Sequence, residues 1–139
     1  MNVSSDRLLR RTLWGNAVFS VVSGAGLAIF AGPFAAAASA AKLQVMGLDL
    51  AIVFELLGVG VIAFGIACAL VARSETLPRA WAQAIFYADI AWVLASALVL
   101  ALPAAWTTAG IAGIAVLVLI VADLAVLEYF GLRRLRSAT

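Results

Sequence analysis

Three carboxylates, Glu55, Asp89 and Asp123, stand inside long apolar runs of this chain, and Glu128 lies nearer the edge of the run that holds Asp123. An acid in hydrocarbon is expensive. It normally faces a bundle interior, pairs with something, or takes part in moving protons or cations. No lysine, arginine or histidine lies inside any of the runs. The deep acids are therefore expected either to be protonated or to be matched from outside, by a cation, a small hydrophobic or cationic ligand, or a partner membrane subunit.

A helical rise of about 1.5 Å per residue turns sequence position into depth. On that measure Asp89 and Asp123 lie roughly 14 and 12 Å from the same edge of the membrane, so they are expected to pair and to share a proton. Glu55 sits roughly 20 Å above that edge, and Glu128 within about one turn of it. Glu128 is therefore expected to form a surface ion pair with Arg133, Arg11 or Arg79. Ordered by depth, Glu128, Asp123 with Asp89, Glu55 and Asp49 form a ladder of the kind a proton or cation relay needs.

Polar neighbours accompany the acids. Thr12, Asn16, Ser20 and Ser23 recur at helical spacing and form one stripe. Asp89 and Ser96 are seven residues apart on one face, with Trp92 beside them. Asn16 can donate to a carboxylate, and hydroxyls can donate or hold water. The serines and Thr12 are expected to tie helices together by interhelical hydrogen bonds. The candidate ligand- or proton-binding set is Asp89, Asp123, Glu55, Asn16, Trp92 and Ser96. No catalytic residue, metal site or cofactor is assigned.

The elements that must position these groups are four apolar spans, at about 13–31, 50–72, 80–102 and 109–131. Each meets the roughly 20 residues a membrane helix needs. Hydrophobic residues make up 66% of the 139 and charged residues 12%, far from the roughly 45–50% and 25% of soluble domains. The continuous runs exclude the alternation of a β-barrel. Pro33, Pro78 and Pro103 fall between runs, where proline breaks nothing. The first run follows Arg7, Arg10 and Arg11 and precedes Ala38-Ser39-Ala40, as a signal peptide would, but it is too long for that role and is expected to be a true span. The expected fold is an all-α four-helix transmembrane bundle forming a single domain, 1–139, with a short interfacial segment between the first two spans.

Eight of the nine basic residues fall on one side of such a bundle, and only Lys42 is opposite. The positive-inside rule then makes both termini cytoplasmic, with Trp14, Trp81 and Trp106 as interfacial anchors. The basic residues are scattered over three short segments without aromatic interleaving, so no nucleic-acid partner is expected. Residues 34–47, FAAAASAAKLQVMG, read as a short helix, either a connector or a lid. Asn16 to Pro33 and Asp89 to Pro103 faintly repeat one pattern, as two parallel hairpins would. Gly24, Ala28 and Gly32, and likewise Gly65 and Ala69, form small-residue faces for close packing, within the bundle or between protomers.

Absences remove several functions. Without histidine there is no histidine-ligated haem and no Ser-His-Asp set. The single cysteine, Cys68, rules out dithiol redox chemistry within the chain and reads as a small packing residue. The only lysine, Lys42, lies in a connection, where no intramembrane Schiff base can form.

Leu8-Leu9-Arg10-Arg11-Thr12-Leu13-Trp14-Gly15-Asn16 and Ala88-Asp89-Ile90-Ala91-Trp92-Val93 resemble small four-span bacterial integral membrane proteins of unassigned function. The resemblance implies four spans and a bacterial inner (cytoplasmic) membrane, and it brings no activity or site residue with it. Three functions stay open. The first is a protein that uses intramembrane carboxylates to bind or move a proton, a cation or a cationic amphipathic ligand, as a homo-oligomer if it transports. The second is a non-catalytic accessory or assembly subunit of a membrane complex. The third is a membrane enzyme acting on a lipid-like substrate. Membrane lipids are partners under all three.

Overall fold

The computed structural model describes residues 5–101 and 106–136. Four of its helices are long and apolar enough to cross a membrane. They are α1 (Ser5–Ile29), α3 (Leu50–Arg73), α4 (Arg79–Ala101) and α5 (Thr108–Arg136). A short helix, α2 (Ala31–Ala38), and a small hairpin, β1 (Gln44–Val45) with β2 (Leu48–Asp49), connect α1 to α3. The chain is an all-α four-helix bundle. The expected end of the third span at Leu102, and Pro103, lie outside the described residues.

The central element is α1, the least apolar and most buried of the four. It packs along α3 on one side and α5 on the other, and α4 packs against α5. Among the described residues no Cα of α1 comes within 8 Å of one in α4. Small residues make the α1–α3 seam. A Cβ on Gly58 would sit 2.6 Å from Gly24 O and 2.6 Å from Ala28 N, and one on Gly65 would sit 2.9 Å from Ala17 O. Two backbones approach this closely only where side chains are missing. Of the small-residue faces, Gly24, Ala28 and Gly65 join this seam, whereas Gly32 belongs to α2 and meets nothing.

Both ends of the described chain lie at one end of the bundle. Leu9, Leu13, Cys68, Val71, Ala72, Leu77, Ala82, Ile85 and Leu132 form the apolar core there. Arg10 fastens the same end. Its guanidinium donates to the carbonyls of Ala72 at 2.8 Å, Ser74 at 2.6 Å and Glu75 at 2.9 Å, at and just beyond the end of α3.

At the opposite end the connector is more structured than its composition suggests. The first span ends at Ile29, and Pro33 sits in the first turn of α2, where its missing N–H costs nothing. The hairpin turns at Met46 and Gly47, both with positive φ, 53° and 81°, as a two-residue turn between twisted strands requires. The connector is tied to the start of α5. The Thr107 N–H donates to Ala38 O at 2.9 Å, the Thr107 hydroxyl donates to Ala37 O, and Ser39 bridges to Trp106.

Gly58→Ala therefore forces α1 and α3 apart and should cost about 1–3 kcal/mol, the usual range for overpacking. Gly60 faces open space, so Gly60→Ala should be neutral or mildly stabilising. Thermal unfolding of the two variants in detergent checks this, and equal melting temperatures would remove the seam from the account.

Candidate functional site

Three helices carry polar side chains on their buried stripes. On α1 the stripe contains Leu9, Leu13, Asn16 and Ser20; on α4, Ala82, Ile85 and Asp89; on α5, Val121, Ala125, Glu128 and Leu132. The spacings of three and four residues are those of an inward-facing helical edge. Asn16 is 1% exposed, Asp89 4% and Glu128 0%. The three meet at one level inside the bundle.

The Asn16 amide organises them. Its Nδ2 donates to Asp89 Oδ2 at 2.6 Å and to Glu128 Oε1 at 3.0 Å. Its Oδ1 accepts from the Ser20 hydroxyl at 3.0 Å. An amide has two N–H donors, so both are used, and only the NH2 end suits two carboxyl acceptors. Because both accept from the same nitrogen, the Asp89 and Glu128 carboxyl groups lie side by side. Glu128 Oε2 is buried and faces no donor. Among the described residues no arginine or lysine forms an ion pair with either acid.

This site differs from the expected one. Asp89 and Asn16 come together, but the second acid is Glu128. Asp123, expected beside Asp89, is exposed on the outer surface of α5. Five residues separate Asp123 from Glu128, which turns them about 140° apart around the helix. Depth placed Asp123 at the right level but gave no information about its direction. Glu128 was expected at the edge because its apolar run ends near Phe130. The helix instead continues to Arg136, which puts Glu128 about 12 Å inside its end, and among the described residues Glu128 is in no ion pair. The missed signal was the buried stripe itself, on which Glu128 falls and Asp123 does not.

The other candidates stand apart. Glu55 is exposed on α3 and takes no part in a ladder with the buried pair. Trp92 and Ser96 are half-buried further along α4 and make no hydrogen bond to the cluster. The polar stripe of α1 satisfies itself more than it ties helices. The Thr12 hydroxyl donates to Leu8 O at 3.0 Å and that of Ser23 to Phe19 O at 2.7 Å, both within α1. Ser20 acts through Asn16. The two polar residues that open the faint repeat, Asn16 and Asp89, are hydrogen-bonded to each other. Cys68 is fully buried in the core, as a packing residue would be.

No protein-family model, curated protein or solved structure matches this chain. What the site does follows from its own chemistry.

Removing the bridging amide leaves two buried carboxyl groups without their common donor. Asn16→Ala should destabilise the detergent-solubilised bundle by about 1–3 kcal/mol. Asp123→Asn, on the outer surface, should leave stability unchanged or raise it, because it removes a charge from an apolar surface. Denaturant titration of both variants measures the contrast, and the reverse order would contradict the placement of the two acids.

Proposed function

We propose that this is a small integral membrane protein, of bacterial inner-membrane type, whose Asp89–Glu128 pair binds a proton inside the bundle. The supporting observation is the donor count around the pair. Among the described residues one amide serves both carboxyls, Glu128 Oε2 meets no donor, and no cation pairs with either acid. Two ionised carboxylates on one amide and out of water would repel each other, and each would carry an uncompensated burial cost of several kcal/mol. A single proton held between them supplies the missing donor and removes one charge. Asn16 keeps the two acids at that distance, and Ser20 orients Asn16. Shared in this way, the proton belongs to the pair.

Enclosure narrows the occupant. Asp89 and Glu128 are almost completely buried, so an organic cation has no room beside them. A proton fits the closed site, and a small inorganic cation that displaces it is the next candidate. With both termini cytoplasmic, as the arginine distribution favours, the pair lies in the inner half of the membrane.

A second reading rests on different acids. Glu55 and Asp123 are exposed within apolar spans, on surfaces that face outward from the bundle. An acid in that position calls for a donor from another protein, which fits an accessory subunit or a homo-oligomer. The two readings concern separate residues and are compatible.

Infrared difference spectroscopy of the purified protein in lipid tests the proton directly. A protonated carboxyl band should be present at neutral pH. It should shift or vanish in Asp89→Asn and in Glu128→Gln, and persist in Asp123→Asn and Glu55→Gln. Absence of the band in the unsubstituted protein would contradict proton binding by the pair. Loss of an oligomer in the last two variants, with the band intact, would assign the outer acids to assembly.

A further inference from the structure

A trough runs along the outside of the bundle between α1 and α3, away from the carboxylate pair. Its volume is about 420 Å³, within the range of roughly 300–1,000 Å³ typical of ligand clefts. Ala17, Gly65 and Ala69 line it with small side chains, and the larger Val18, Val22 and Leu70 border it. It follows α1 from Trp14 to Val22 and α3 from Gly65 to Arg73, nine residues on each, a rise of about 12 Å. That is a little less than one leaflet of a hydrocarbon core roughly 30 Å thick. The trough is apolar along its length and cationic at one end, where Arg73 stands beside Trp14.

The charge at that end extends beyond Arg73. Arg7, Arg11, Trp14 and Val18 are spaced by four, three and four residues, so the exposed Arg7 and Arg11 continue the face of α1 that borders the trough. Arg73 is exposed in the last turn of α3 and forms no ion pair among the described residues. The end of a helix normally repels an anion, because its last carbonyls are unsatisfied. Here Arg10 already covers the carbonyls of Ala72, Ser74 and Glu75. The arginines are left to face the headgroup region.

We propose that this trough is a binding site for one anionic phospholipid of the cytoplasmic leaflet. An acyl chain lies over Ala17, Gly65 and Ala69, and the phosphate group sits at Arg73, with Trp14 at the level between chain and headgroup. Apolar length alone would accept any lipid, whereas the arginine end selects for negative charge. Each basic residue near a membrane surface favours an anionic lipid by about fivefold.

Native mass spectrometry of the detergent-purified full chain, with phosphatidylglycerol and phosphatidylcholine added at equal concentration, tests the site. One phosphatidylglycerol should be retained in preference to phosphatidylcholine. Arg73→Gln should reduce that preference by about fivefold without lowering the melting temperature. Val18→Trp, at a bordering position that is 61% exposed, should reduce retention of both lipids by filling the trough. Equal retention of the two lipids by the unsubstituted chain would overturn the proposal, as would an unchanged preference in Arg73→Gln. A protein dimer that Val18→Trp converts to monomer would also overturn it, and would make a second copy of the chain the occupant.

Discussion

The bundle depends on one side-chain amide that must satisfy two acids at once. Asn16 donates to Asp89 and to Glu128, and through them α1 is joined to α4 and α5. The link to α4 matters most, because among the described residues no Cα of α1 comes within 8 Å of one in α4. A hydrogen bond to an ionised or ionisable group contributes more than a neutral one, and leaving such a group unpaired in a dry interior costs more still. The interior therefore admits few alternative arrangements. Rotating α1 by one residue, about 100°, would break both bonds and carry a polar group toward lipid.

Other features follow from placing that amide at the centre. α1 carries the polar stripe, so it must be the most enclosed helix. Glycine and alanine at Ala17, Gly24, Ala28, Gly58 and Gly65 let α3 cover one side of it closely. α5 covers another side, with Gly131 receiving Leu9 near the arginine-rich end. The opposite end is held by bonds from the Thr107 N–H and hydroxyl to carbonyls of α2, away from the acids. The same close α1–α3 approach leaves a shallow trough on the outer surface, because small residues that bring two helices together also leave little side chain to fill the space above the seam.

The spans were legible in the sequence because length and apolarity alone define them, and the arginine distribution matches the end at which Leu9, Leu77 and Leu132 meet. Asn16 and Asp89 were legible as site residues because each is polar in an otherwise apolar stretch. Their second partner was not, because residue depth constrains one coordinate and direction around the helix another. Asp123 has the right depth and the wrong face. Glu128 has the right face, but its apolar run ends near Phe130 and so points to the interface, whereas α5 continues to Arg136 and encloses it. The hairpin at 44–49 was also hidden. Its strands are two residues each, too short for an alternating pattern, and the positive φ at Met46 has no signature in that residue's type.

The central claim is that Asp89 and Glu128 hold one proton as a unit under the Asn16 amide. Carbon-13 NMR of the side-chain carboxyls, followed across pH in lipid, tests it most directly. The Asp89 and Glu128 signals should move together over one pH range, and Asn16→Ala should uncouple the pair. Independent titration of Asp89 and Glu128 in the intact protein, with both ionised at neutral pH, would contradict it.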